Sequence, residues 1–289
     1  MTGADWNAYL ARIGYEGPPG PTLEVLRGLC RAHVRSIPFE LLDGPDGIKP
    51  AIDAASVFEK VVVNRQGGAC MEVNNLFAGL LEHLGFDVTT LAARPWLPQD
   101  RAYTETGDHM VLLVRLDGTE WLVDVAYSQL TAVEPLELDG TVRTERGWEF
   151  RVHREDEGGG EFVAQRKGLS GRWAPIHRFT RDPRGAEHFD EIVELYLNPA
   201  NDSPILHTLM CSRVTPTGKV TVVNDLLIET GGGGAESSSR LQTPQAARAA
   251  MEAVFAGHPQ LVERGTRIWQ RLVGDSLPAA APNLEENTV

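Results

Sequence analysis

The chain has 289 residues, of which 27 are basic and 40 acidic, for a formal net charge of −13; 42% are hydrophobic and 23% charged. These figures describe an ordinary globular protein of about two modules' length and exclude collagen, coiled coil and wholesale disorder. The acidic balance gives a phosphate backbone no general attraction, and no apolar run approaches the roughly 18 residues that span a bilayer, so neither nucleic acid nor membrane is expected as a partner.

In chain order, Met1–Trp6 lacks the basic and then apolar pattern of a secretory signal, which makes a cytoplasmic location the expectation. Thr22 caps a predicted helix that carries Leu23, Leu26, Leu29, Cys30 and Val34 on one face, with Cys30 read as a core residue. A turn-rich stretch at 43–47 precedes a short helix through Ala54–Lys60. Strand patterns follow at Phe86–Ala93, His109–Leu116, Trp121–Ala126, Trp148–Val152 and Glu161–Ala164, the last two separated by Gly158-Gly159-Gly160. A brief helix is predicted at 187–197, then strands at Leu209–Val214 and Val220–Ile228. The composition of 231–239 reads as a flexible, exposed Gly/Ser loop. Thr243-Pro244 opens a C-terminal helix that ends near Gly257. The pattern divides the chain into a helical region (1–85), a β region (86–190) and an α/β tail (191–289).

Cysteines stand at 30, 70 and 211, an odd number without CxxC spacing, so neither a disulfide framework nor a metal site is expected. Cys70 has a distinctive setting. Val73, Leu76, Phe77, Leu80, Leu81 and Leu84 form one helical stripe that Gly85 terminates, so a helix begins close to Cys70, just after Gly67-Gly68. A sulfur there lies near unsatisfied N–H groups and the positive end of the helix dipole, which favours a thiolate. The paired glycines allow a sharp turn and leave room for a substrate. The alternative is one more buried cysteine, and the Gly-Gly-x-Cys helix start favours a nucleophile.

A nucleophilic thiol works with a histidine, and the histidine with an orienting carboxylate. Asp117-Gly118 between two apolar runs predicts a two-residue hairpin in which facing residues sum to 235. Asp124 is then the diagonal neighbour of His109 on the same face. An acid inside the apolar run Trp121–Val125 needs a partner, and His109 is the nearest.

These residues resemble the arylamine N-acetyltransferase family, whose motif Arg-x-Gly-Gly-x-Cys-x-Glu-x-Asn is matched by Arg65 through Asn74. Ile37-Pro38-Phe39-Glu40, the His109 and Asp124 strands, and the stretch from Asp202 to Leu227 are also similar, over about residues 6–256. The resemblance implies an α+β fold with an N-terminal helical bundle, a middle β-barrel-like domain, a C-terminal α/β lid and a triad arranged as in papain-like proteases. It implies Cys70 as acyl-accepting nucleophile, His109 as base and Asp124 as orienting acid. No permanently bound cofactor is implied: acetyl-CoA or another acyl thioester is a co-substrate, and an arylamine or related amine is the acceptor in a ping-pong reaction.

By the same resemblance, Thr106-Gly107, shifted by one position from the family's pair, contacts the coenzyme, while Phe39, Ala69, Ala126, Tyr127 and Ser128 line the substrate pocket. Ala69 replaces an aromatic residue, Leu41 stands where Asn is common, and Val125-Ala126-Tyr127-Ser128 replaces Val-Gly-Phe-Gly. Family members that act as amide synthases, releasing a polyketide from a carrier protein, supply the alternative function. A cysteine hydrolase and a binding protein with a vestigial triad are further alternatives.

Overall fold

The computed structural model describes residues 4–127, 130–155, 160–201 and 203–274. The chain opens with helix α1 (Trp6–Ile13), whose N-cap Asp5 accepts the Ala8 N–H at 3.1 Å. Its eight residues hold too few helical repeats to stand out in the sequence. Helix α2 (Leu23–Ser36) is capped by Thr22 as expected and buries Leu26, Leu29, Cys30 and Val34. After the two-residue strand β1 (Phe39–Glu40) come helix α3 (Ala54–Phe58), prolonged by a π-helical turn over Glu59–Val63, and helix α4 (Cys70–His83). Helix α4 buries far more than its apolar stripe, because α3 lies against one side and the β region against another.

The β region comprises β2 (Asp87–Leu97), β3 (Ala102–Tyr103), β4 (His109–Leu116), β5 (Thr119–Val123), β6 (Leu136–Glu137), β7 (Arg143–Glu145), β8 (Trp148–Arg154), β9 (Phe162–Lys167) and β10 (Trp173–Pro183). They form one antiparallel, barrel-like sheet in the order β6-β5-β4-β2-β10-β9-β8-β7, with β3 beside β2. Long strand β10 was not evident in the sequence: its arginines and prolines obscure an inward-facing set that includes Ile176 and Phe179. Strand β4 is buried on both faces and shows why the period-two rule matters. Met110, Leu112 and Val114 join the helical core, while Val111 and Leu113 fill the barrel interior. The predicted hairpin register is observed: Leu112 faces Val123 and Leu116 faces Thr119. Asp117 and Gly118 have φ of +51° and +79°, the left-handed pair that a type I′ turn requires.

Helix α5 (Ala186–Leu197) leads to β11 (Met210–Val214), β12 (Lys219–Val223), β13 (Leu226–Thr230), β14 (Glu236–Arg240), α6 (Pro244–Val254) and α7 (Pro259–Leu272). Three features differ from the sequence reading. The division placed at 190/191 falls inside α5, whose buried face of Phe189, Ile192 and Val193 crosses it. The run Val220–Ile228 is two strands, because the chain reverses at Asn224, where φ is +51°. The stretch read as a flexible loop contains β14, paired with β13 from Thr230–Glu236 to Leu226–Arg240. Its five side chains are all exposed, so the backbone ladder leaves no hydrophobic alternation to read. Helix α7, past the expected end at Gly257, packs on α6. Strand β1 closes the edge of the tail's sheet by pairing Phe39 with Ser212 and Glu40 with Cys211, so the first and last regions interlock. Among the described residues no helix is long and apolar enough to cross a membrane.

Phe77 on α4 is wholly buried in the helical core, so Phe77→Ala is expected to lower unfolding stability by about 3–5 kcal/mol. Gly118→Ala, which places a Cβ on a left-handed residue at the open hairpin tip, is expected to cost about 1–2 kcal/mol. Urea unfolding of the two variants checks both values; a larger loss for Gly118→Ala than for Phe77→Ala would contradict this account of the core.

Candidate active site

The segment before α4 is held by close backbone packing. A Cβ on Gly67 would meet the Pro38 carbonyl oxygen at 2.3 Å, and one on Gly68 the Glu72 carboxylate at 3.0 Å. The glycines thus admit protein atoms, and the expected room for a substrate is not what they provide. The Ala69 N–H donates to Glu72 Oε2 at 2.8 Å, closing the first turn of α4. Glu72 is buried, and burial pushes its carboxyl up to about 7 against the opposing Lys60 ammonium. Lys60 Nζ donates to both Glu72 oxygens at 2.9 Å and to Asp43 at 2.6 Å. Burial disfavours its charge, yet Glu40, Glu72 and Asp43 raise it above the ordinary lysine value. This buried ionic cluster fixes the turn that presents Cys70.

The Cys70 sulfur lies 3.7 Å from the Asp108 carbonyl oxygen, to which the thiol donates. His109, the first residue of β4, directs Nε2 to Asp124 Oδ2 at 2.8 Å, leaving Nδ1 for the sulfur. Burial works against the charge on His109, but Asp124, aided by the charge and hydrogen bond of Cys70, raises its imidazole to about 10. Burial likewise opposes the Asp124 charge, and His109, His177 and Asn74 hold the carboxyl well below its ordinary value. Asn74, one turn after Cys70 on α4, donates to Asp124 Oδ1 at 3.1 Å and to the Met110 carbonyl at 2.8 Å, and accepts the Val125 N–H at 3.0 Å. One amide therefore joins α4 to β4 and to the chain just beyond β5. Cys30 and Cys211 are wholly buried, and burial pushes both thiols up.

A cavity of about 260 Å³, walled mainly by apolar side chains, opens over these groups. Cys70, His109, Phe39, Ala69 and Tyr127 line it, together with Asp108, Tyr196 and Met210. Ala126 does not: it is buried, and its N–H donates to Asp124 Oδ1 at 3.1 Å, so its expected pocket position is a support for the acid. Ser128 lies outside the described residues. Thr106 and Gly107 adjoin the cavity without lining it, while their neighbours Thr104 and Asp108 do line it. The Gly107 carbonyl accepts His188 Nε2 at 2.9 Å, and a Cβ on Gly107 would meet that of Ala92 at 2.8 Å.

Three further groups escaped the sequence reading. Tyr196 donates to the half-buried Asp108 carboxylate, which also accepts Thr104 Oγ1 at 3.1 Å. His177, on the unforeseen strand β10, is fully buried and approaches Asp124 Oδ2 to 3.8 Å; burial and the charge on His109 push its imidazole down to about 3. Ligand atoms of His109, Asp124 and His177 lie within 4.8 Å of one another, close enough for a metal ion to bridge. The bond between His109 and Asp124 accounts for two of the three without one. Lys219 is buried behind Tyr127, donates to its carbonyl, and is pushed down to about 7 by burial. None of the three carries a sequence signal, since each reaches the site from a distant segment; Asn74, by contrast, stands one helical turn from Cys70 within the motif.

Cys70 at its helix start and His109, paired with the buried Asp124, meet at one cavity, and the comparisons identify the family. The N-acetyltransferase family model matches residues 22–257. Proansamycin X synthase of Amycolatopsis mediterranei (strain S699) is 35% identical over 223 residues, covering 75% of this chain and 84% of that protein. The arylamine N-acetyltransferase of Mycolicibacterium smegmatis is 39% identical over 185 residues, 62% of this chain and 66% of that one. The Mycobacterium marinum arylamine N-acetyltransferase, solved in complex with CoA, superposes with a TM-score of 0.80 at 28% identity over 93% of this chain and 99% of that chain. This chain belongs to the arylamine N-acetyltransferase family, and it is an acyltransferase.

The raised imidazole has a consequence for stability. His109 titrates near its ordinary 6.5 when unfolded and near about 10 when folded. Its contribution is thus complete below 6.5 and is lost progressively as pH rises to about 10. Asp124→Asn removes the carboxylate that holds the proton, so its unfolding midpoint is expected to fall less over that interval than the wild type's. Parallel pH-dependent unfolding curves for the two proteins would refute the pairing as the source.

Proposed function

We propose that this chain transfers an acyl group from a thioester to an amine through a covalent Cys70 thioester. The observation that carries the reading is the 2.8 Å bond between His109 and Asp124, sealed from water beside a cysteine at a helix start. In the first half-reaction His109 Nδ1 holds the proton taken from Sγ, the thiolate attacks the donor's thioester carbonyl, and the leaving thiol receives that proton. The backbone N–H groups of Cys70 and Met71, at the start of α4, are the proposed donors to the developing oxyanion. In the second, the amine attacks the Cys70 thioester, His109 takes its proton, and sulfur leaves as the amide forms. Asp124 keeps the imidazole in the productive tautomer and stabilises its charged form.

Acetyl-CoA is the proposed donor, since the Mycobacterium marinum relative was solved with CoA; Thr106 and Gly107, next to cavity-lining Asp108, are its proposed contacts. An arylamine is the proposed acceptor, seated against Phe39, Ala69 and Tyr127. A second reading has its own support: Proansamycin X synthase is similar over 84% of its length, and the small Ala69 leaves the cavity open beside Cys70. In that reading the acyl group is a bulky polyketide, delivered by a carrier protein or as a CoA ester, and the product is an amide or macrolactam.

A loading assay decides between them. Acetyl-CoA, longer acyl-CoAs and N-acetylcysteamine thioesters are each offered to the protein, with aniline as acceptor and intact mass as the readout. Rapid acetyl loading with aniline acetylation supports the first reading, and loading only from bulky thioesters supports the second. In either case Cys70→Ala is expected to abolish labelling and His109→Ala to slow it at least about 100-fold, the lower range for general base catalysis. Acylation at Cys30 or Cys211 would end the proposal.

A further inference from the structure

Away from the catalytic cavity, Arg12, Arg35, Arg65, Arg213 and His258 line a second cavity of about 210 Å³. No carboxylate is among its lining residues, in a chain with 40 acidic and 27 basic groups. Arg264, by contrast, is neutralised by Asp43 at 2.8 Å and Asp46 at 2.9 Å. The cavity lies where three parts of the chain meet: the ends of α1 and α2, the turn ahead of α4, and β11 with the link between α6 and α7.

Arg12 gives the site a built floor. It is 6% exposed, and its guanidinium donates to the carbonyls of Ser36 (2.9 Å), Val61 (3.2 Å) and Arg65 (3.4 Å). Burial, and then the neighbouring Arg65 charge, push it down to about 10. Arg65 itself stands at φ +54°, a left-handed conformation rarely held by a residue with a side chain. Arg213 is anchored from the other side, with Nη1 3.4 Å from the Ala256 carbonyl. Burial and then the charges of Arg12, Arg65 and Arg213 push the His258 imidazole down. Backbone bonds explain why Arg12 is buried. They do not explain why three more arginines gather around it with no acid among the described residues.

We propose that this cavity is a binding site for a phosphoryl anion carrying at least two negative charges, of pyrophosphate size. Guanidinium groups bind phosphate oxygens through paired N–H donors and keep their charge at any physiological pH. At roughly 30 Å³ per water, the cavity has several waters' worth of room, enough for two linked phosphoryl groups. The bound anion neutralises a repulsive cluster and ties the N-terminal helices to the C-terminal sheet, so it stabilises the fold. The site stands independently of the reading of Cys70.

The test is calorimetric titration of the full chain with inorganic pyrophosphate at low, constant ionic strength. One saturable site is expected, weakened about tenfold by Arg35→Gln and by Arg213→Gln, each of which removes a charge-assisted contact. Arg172→Gln, an exposed arginine outside the cavity, is expected to leave binding unchanged. Saturating pyrophosphate is also expected to move the His258 titration, followed by NMR, upward. A parallel titration with ADP distinguishes the source: tighter binding than pyrophosphate assigns a nucleotide, and equal or weaker binding a free inorganic anion. No saturable binding by the wild type, wild-type affinity in both cavity variants, or equal weakening by Arg172→Gln would overturn the site.

Discussion

Removing a carboxylate from water costs several kcal/mol unless charge and hydrogen bonds replace the lost solvation, and at Asp124 both are supplied. His109 provides the charge, and the Asn74 amide and the Ala126 N–H provide hydrogen bonds to the second oxygen. Each comes from a different place: the start of β4, the face of α4 and the chain just beyond β5. Satisfying one buried acid therefore fixes the relation of the helical region to the barrel. The same contacts fix the imidazole whose other nitrogen is left for Cys70.

The far side of Cys70 is secured by a different device. Lys60 sits among Glu40, Asp43 and Glu72, and Glu72 in turn accepts the Ala69 N–H that begins α4. Arg264 of α7 reaches the same acidic turn, so the last helix is linked to the loop walling the cavity beside Cys70. Burying these charges in a mutual network specifies position more than it adds stability, because desolvation offsets much of the Coulombic gain. Position is what the nucleophile proposed at Cys70 requires, since small displacements of reacting groups cost large factors in rate.

Substitutions that set this chain apart from the family motif fall into two physical groups. Ala69 is a cavity wall, and its small side chain leaves space next to sulfur. Ala126 lies behind the acid and affects substrate only through Asp124. Tyr127 belongs to both groups: its ring lies 4.5 Å from that of His109 between the cavity and the barrel core, and its hydroxyl donates to the Ile176 carbonyl at 3.2 Å. Apart from Tyr127, the substituted residue that shapes the cavity is thus distinct from the one that holds Asp124.

Local patterns in the sequence determined much of this. The 3.6-residue stripe from Val73 to Leu84, ended by Gly85, placed Cys70 at the head of α4, and the Asp117-Gly118 turn set a register that brought Asp124 to His109. Both are short-range rules, governed by dihedral preference and side-chain period, so they survive without knowledge of the rest of the fold. Long-range packing decided what those rules could not reach. Strand β10 brings His177 to Asp124 although 53 residues separate them in the chain; β14 is held by backbone bonds whose side chains carry no pattern; and the arginine-lined cavity gathers side chains from α1, α2, β11 and two connecting segments. Gly67 and Gly68 illustrate the division at one point. Their absence of side chains was plain in the sequence, but only the folded chain showed that the Pro38 carbonyl and the Glu72 carboxylate fill that space, because contacts across distant segments are set by the whole core.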